Sequence, residues 1–365
     1  MKIKDITTMK LRIPLERPMW FATRTVAARE FTVCELITDK DIRGLGVIPI
    51  GDPYSVVAFI ERKLKQLAIG EDLFSYERLW NRMYREVYRD RMGSAIRAVA
   101  AVDIALWDAI GKTLEMPVYK LLGGDKDEVQ AYASGGYYRE GKGPEGLAEE
   151  VARYVKKGYR CVKIKVGGAS LKDDLERVRA AREAAGPDVR LILDANNSYS
   201  PHEAIKAGRK FEQFDLYWFE EPVWPDNIWG SRKVADALDV PIASGELVYT
   251  RYGFQELFTK RAIDIAMPDC TVVGGVTEFI KIAGMASGHS IPIAPHWNQE
   301  IHMHMVGAFS NAFTVEFFEK DIDIRKEELL YDKYIQPVNG VIKIPNEPGF
   351  GRELSRNAVE KYVIE

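Results

Sequence analysis

From Lys165 onward the chain repeats one unit, a short apolar run that ends in a charged or imidazole side chain. The ends fall at Lys165, Asp194, Glu220, Glu246, Asp269 and His296, and Glu316 continues the series. Consecutive intervals are 29, 26, 26, 23, 27 and 20 residues. Each is the length of one strand, one helix and two connections. A chain with this period returns a reactive group to one place, turn after turn.

Strands are expected at 129–134, 161–166, 190–195, 216–221, 241–246, 264–269, 291–296 and 312–317, separated by helical segments such as 144–157, 171–185 and 201–214. Strictly alternating strand and helix indicates a parallel sheet, either an open doubly wound one or a closed β/α barrel. An open sheet gathers its ligands at one switch point from two or three strand ends. Seven reactive strand ends meet only if the sheet closes into a ring, so the barrel is favoured.

The residues before the repeat follow another grammar. Residues 1–50 alternate like antiparallel strands, with Gly44 and Gly46 read as turn glycines, and 55–122 carry a helical period that is richest in alanine over 95–111. Strands followed by helices make an α+β unit. The tail leaves the barrel rhythm at Asn339-Gly340, Pro345 and Pro348-Gly349-Phe350-Gly351 and is expected to pack back on that unit. The predicted division is an α+β domain over 1–125, the barrel over 126–322 and a returning segment over 323–365.

A formal charge of −3 provides no basic footprint for a phosphate backbone, so nucleic acid is not an expected partner. No apolar run reaches the roughly 18 residues needed to span a bilayer; the stretch 94–110 is broken by Arg97, Asp103 and Asp108. The first residues alternate like a strand instead of forming a signal peptide's apolar core, which makes a cytoplasmic location the expectation. Cys34, Cys161 and Cys270 are odd in number and widely spaced, as buried reduced thiols would be.

Asp194, Glu220 and Glu246 place three carboxylates on successive strand ends. Gathered in one mouth they repel unless they are protonated or hold a cation, and an all-oxygen set selects a hard ion, Mg²⁺ first and Mn²⁺ second. In Cys161-Val-Lys-Ile-Lys-Val166 the strand period sends Lys163 and Lys165 to one face and Val162, Ile164 and Val166 to the other. The apolar face meets the helices, so both lysines point inward. Lys165, nearer the mouth, is the candidate base, with a pKa lowered by the metal and its neighbour; Lys163 is assigned to a substrate carboxylate. Asp269 can orient one imidazole nitrogen of His296 and leave the other for substrate. Glu316, if protonated, could donate a hydrogen bond to a developing enolate oxygen. His296, Glu300, His302 and His304 do not have the helical spacing of a zinc site.

These residues resemble a family, the enolase superfamily and within it the mandelate racemase subgroup. The resemblance covers nearly the whole chain: Val102-Asp-Ile-Ala-Leu-Trp-Asp108, Pro117 to Gly124, the Lys163-x-Lys165 strand, Leu193-Asp-Ala-Asn196, Trp218-Phe-Glu-Glu-Pro222, Ser244-Gly-Glu246, Met267-Pro-Asp269, Gly274-Gly-Val276 and Pro295-His296. It implies a (β/α)7β TIM-type barrel under an α+β capping domain made from both termini, one magnesium on Asp194, Glu220 and Glu246, and a homo-oligomer. It implies Lys165 as base on one substrate face, His296 with Asp269 as acid or base on the other, and Glu316 as electrophile. Relatives resembling muconate cycloisomerase carry a lysine where this chain has Asp269, so the dyad groups it with mandelate racemase and the acid-sugar dehydratases.

The expected common step is removal of the proton α to a carboxylate. Loss of a β-hydroxyl then gives a 2-keto-3-deoxy acid, whereas reprotonation gives racemisation or epimerisation of a 2-hydroxy acid. The mixed lid Met19–Thr25, with Trp20, Thr23 and Arg24, favours dehydration of a sugar acid over turnover of an aromatic hydroxy acid. Tyr54, Asn196 and Trp297 join these as candidate substrate contacts. A racemase is the alternative within enzymes, and a non-catalytic metal-binding barrel is the alternative outside them.

Overall fold

The computed structural model describes residues 1–365. Strands β1 (Ile3–Phe21), β2 (Arg24–Thr38) and β3 (Arg43–Ile48) pair antiparallel in sequence order. Helix α1 (Ser94–Thr113) lies against this sheet and is buried over nearly its whole length. Gly44 and Gly46 are not turn residues, as expected above, but sit inside β3. A Cβ at Gly44 would overlap the carbonyl oxygen of Ala105, and one at Gly46 that of Ala101. Glycine in the strand and alanine in the helix let the two backbones approach directly.

Beyond this domain the sheet curls into a parallel barrel of β4 (Glu128–Ser134), β5 (Cys161–Lys165), β6 (Arg190–Asp194), β7 (Leu216–Glu220), β8 (Ile242–Ser244), β9 (Ile265–Ala266) and β10 (Val315–Phe317), with β10 paired to β4. The strand expected at 291–296 is reduced to single bridges from Ile293 to Ala266 and to Ala312, which still close the ring. Pro292 and Pro295 explain the difference, because neither has an N–H to donate to a ladder. Helices α2 (Leu171–Ala185) and α3 (Pro201–Phe211) wrap the outside. Each starts on a serine cap, and Ser200 forms a capping box with Glu203.

The C-terminal segment divides between the two domains. Strand β11 (Val341–Lys343) pairs antiparallel with β4 of the barrel, whereas β12 (Val363–Ile364) pairs with β1 and completes the capping sheet. Asp108 on α1 ties the pieces together, accepting hydrogen bonds from Leu45 N and Phe350 N at 2.9 Å each. No helix is long and apolar enough to cross a membrane. The three cysteines are free.

Candidate active site

Register puts the reactive groups in one layer. Lys165 pairs with Asp194 across β5 and β6, and Asp194 pairs with Glu220 across β6 and β7. Two residues back, Lys163, Ile192 and Trp218 form the layer beneath, facing the same interior. Tyr132, Trp218, Ala243, Ile265, Met267 and Ala294 fill the barrel below the site. The charged layer therefore rests on an apolar floor that keeps water from approaching from below.

Asp194, Glu220 and Glu246 are buried and each brings an oxygen within 4.8 Å of the others. Burial and neighbouring anions push Glu220 up to about 8 despite Lys163, and burial also raises Glu246. Burial opposes ionisation of Asp194 too, but Lys165 and Lys163 outweigh it and hold its pKa below the ordinary carboxylate value. Glu246 Oε2 is buried without a hydrogen-bond partner. Three buried acids of this kind, one with an oxygen that makes no hydrogen bond and has the His296 ring 3.4 Å away, fit a hard divalent ion. Glu221 turns away from the cluster with a φ of 45° and accepts from Ser244 Oγ at 2.9 Å and Gly245 N at 2.8 Å.

Lys165 Nζ is paired with Asp194 Oδ2, and its ammonium stands 4.9 Å from the ring centre of Tyr137. Burial disfavours this charge, but Asp194 outweighs burial and raises the pKa above the usual lysine value; the lowering expected from sequence is assigned to a metal that would take Asp194 as its own ligand. Lys163 is fully buried, paired with Glu220 and standing 2.6 Å from Glu316 Oε1. The donor role read for Glu316 from sequence requires the protonated acid. Burial favours the neutral acid, yet Lys163 outweighs it and lowers the pKa of Glu316 to about 2, favouring the carboxylate. Its other oxygen accepts from Trp297 N at 2.7 Å.

His296 Nδ1 lies 3.0 Å from Asp269 Oδ2, and Nε2 lies 3.4 Å from Glu246 Oε2. Burial works against imidazolium, but Glu246 and Asp269 overcome it and raise the pKa to about 9. Asp269 Oδ1 is saturated by Thr271 N and Thr271 Oγ1, both at 2.8 Å, and by Asn298 Nδ2 at 3.1 Å. His302 and His304 serve the fold: they accept from Cys270 N and Tyr119 N, while Glu300 pairs with Arg325.

A cavity of about 670 Å³ opens over this layer between barrel and capping domain. Its wall includes Lys165, Glu246 and His296, together with Thr23, Arg24, Asn196 and Trp297 of the expected substrate contacts. Trp20 and Tyr54 lie elsewhere. Trp20 stacks on Tyr138 at 6.0 Å, and Tyr54 rests beneath Lys10 at 4.1 Å. Sequence reasoning missed Tyr137, Arg29 and Arg97, which the fold brings to the same wall, and Trp218, whose Nε1 donates to Glu220 Oε2 at 2.9 Å. The signal for Trp218 was its two-residue spacing from Glu220 on one strand face.

Comparison with known families agrees with this architecture. Residues 146–358 match the family described as enolase C-terminal domain-like, and residues 3–123 match the mandelate racemase / muconate lactonizing enzyme N-terminal domain. The chain belongs to the enolase superfamily, in its mandelate racemase subgroup. It is similar to an arabinonate dehydratase of Saccharolobus solfataricus, 38% identical over 99% of both chains. A D-galactarolactone cycloisomerase of Agrobacterium fabrum is 32% identical, again over 99% of both. The crystal structure of L-talarate/galactarate dehydratase from Salmonella typhimurium LT2, liganded with Mg and L-lyxarohydroxamate, superposes with a TM-score of 0.92 at 28% identity, covering 100% of this chain and 93% of that one. Dehydratases and isomerases thus both occur among its relatives.

Proposed function

We propose that this protein is a Mg²⁺-dependent sugar-acid dehydratase. Asp194, Glu220 and Glu246 would hold the ion. Bound there, it would offset the charge developing on the substrate carboxylate and replace the Lys165 ammonium as partner of Asp194, which lowers the proton affinity of that amine. Lys165 takes the α-proton. His296, carrying its proton and oriented by Asp269, delivers a proton to the departing β-hydroxyl. The C–H and C–O bonds break, a carbon–carbon double bond forms, water leaves, and the enol product tautomerises to a 2-keto-3-deoxy acid.

The observation that carries this reading is that Lys165 and His296 line one cavity from opposite sides of the three carboxylates in the order around the ring. The pairing of His296 Nδ1 with Asp269 suits a positioned proton donor, and the polar wall at Thr23 and Arg24 suits a hydroxylated substrate. The similarity to an arabinonate dehydratase points the same way. The test is incubation of the purified protein with Mg²⁺ and a panel of aldonates and aldarates, with detection of 2-keto acid. If no sugar acid yields keto acid while a 2-hydroxy acid exchanges its α-proton in deuterated water, a racemase replaces this reading.

A further inference from the structure

The two walls of the cavity carry opposite chemistry. Lys165, Asp226, Glu246 and His296 stand on the barrel side, whereas the capping side contributes Arg24, Arg29 and Arg97 and no acid. Arg97 is 4% exposed, and its Nη1 is buried without a hydrogen-bond partner. Nη2 of Arg29 is likewise buried and unpartnered, while its Nε donates to the carbonyl of Ile324 at 2.8 Å. Burial disfavours the Arg97 cation, which the Tyr249 hydroxyl and then Asp269 favour; the one carboxylate of these, Asp269, is already engaged by His296, Thr271 and Asn298. A buried guanidinium left this way is costly unless an anion joins it.

A second feature of the same wall points to the same kind of ligand. Gly93 and Ser94 line the cavity and begin α1, a helix of 20 residues with no side-chain cap. The first amide to close on this helix is that of Arg97, bonding to Gly93 O. The amides of Ser94, Ala95 and Ile96 therefore lack intrahelical partners, and the positive end of the helix dipole faces the cavity. Gly51 leaves room for the Arg97 side chain, since a Cβ there would lie 3.0 Å from Cδ.

We propose that Arg97 and the N-terminus of α1, assisted by Arg29, form a subsite for a second carboxylate, so that the preferred substrate is a sugar diacid held at both ends. This inference rests on the dehydratase reading above and adds the substrate class to it. One carboxylate lies at the metal-binding acids, and the other sits against the capping domain. A sugar monoacid would leave the Arg97 guanidinium without an anion beneath the lid.

The test compares matched pairs of aldarates and aldonates that differ at the terminal carbon, using the Mg²⁺-loaded full-length protein and the variants Arg97→Gln and Arg97→Lys. The wild type is expected to favour the diacid at least tenfold in kcat/KM. Arg97→Gln should lower kcat/KM for the diacid about ten- to a hundredfold more than for the aldonate, mainly through KM, as loss of a charge-assisted hydrogen bond predicts. Arg97→Lys should restore part of the preference. Equal turnover of both acids by the wild type, or equal losses on both in Arg97→Gln, overturns the subsite. If the wild type dehydrates neither, the dehydratase reading fails separately. Calorimetry with the same pairs then decides the subsite: tighter diacid binding that Arg97→Gln abolishes supports it, and equal binding overturns it.

Discussion

Replacing Asp269 by asparagine tests whether His296 is a positioned proton-transfer group. The oxygen of the new amide has one acceptable place, facing the three donors Thr271 N, Thr271 Oγ1 and Asn298 Nδ2 that now converge on Oδ1. Its NH2 must then face His296 Nδ1, which becomes an acceptor, so the ring carries its proton on Nε2 and loses the anion that supports imidazolium. Loss of one charge-assisted hydrogen bond is worth about 1.5–3 kcal/mol, or roughly ten- to a hundredfold in rate. The neutral ring still carries a proton on Nε2 but is a far weaker acid than imidazolium, which adds to the loss. Because the donors to Oδ1 keep their acceptor, the protein should stay folded, with a stability loss no larger than the about 1.5–3 kcal/mol of the weakened bond to His296. The assay is kcat for dehydration beside α-proton exchange in deuterated water, with folding followed by circular dichroism. Asp269→Asn protein that stays folded and keeps more than half of wild-type dehydration would refute the role assigned to the dyad.

Trp218→Phe removes the indole N–H that holds Glu220 and should weaken Mg²⁺ binding about tenfold in calorimetry, with kcat at saturating Mg²⁺ changed far less. Chelation should abolish turnover and lower the melting temperature, since an ion at 100 times its Kd contributes about 2.7 kcal/mol; equal melting curves with and without Mg²⁺ would count against the carboxylate site. Gly46→Ala drives a Cβ into the backbone of Ala101 and should cost about 1–3 kcal/mol or more in urea unfolding. Asp103 is buried and accepts from Thr277 N at 2.9 Å and Thr277 Oγ1 at 2.6 Å. Burial raises its pKa from 3.8 to about 7, so the folded state binds the proton more tightly. Its contribution is fully present below about pH 4 and lost as the pH rises through about 7. Against Asp103→Asn, the wild type should lose up to about 1.4 kcal/mol per pH unit in that window, measured by urea unfolding at several pH values; parallel pH profiles would refute it.

The barrel and its charged layer were legible in one dimension because both depend on local periodicity. A side-chain period of two fixes which face Lys163 and Lys165 share, and the strand–helix repeat places each acid at a strand end. Chain order alone also suggested that the sheet must close. The weak seventh strand was harder to see, since Pro292 and Pro295 act by withholding hydrogen bonds from neighbours distant in sequence. Gly44 and Gly46 were misread because their reason is the backbone of α1, about 55–65 residues away.

What the amino-acid sequence determined by itself is the set of groups and their order around a ring: lysine, three acids, dyad, glutamate. Tertiary structure alone decided their charge states, because these depend on which oppositely charged neighbour comes within a few ångströms in a dry interior. Lys163, 2.6 Å away, thus favours the carboxylate form of Glu316 although burial favours the acid. Tertiary structure alone also decided the wall across from the chemistry. Arg24, Arg29 and Arg97 come from β2 and α1, and they meet the barrel only because the capping domain folds over its mouth.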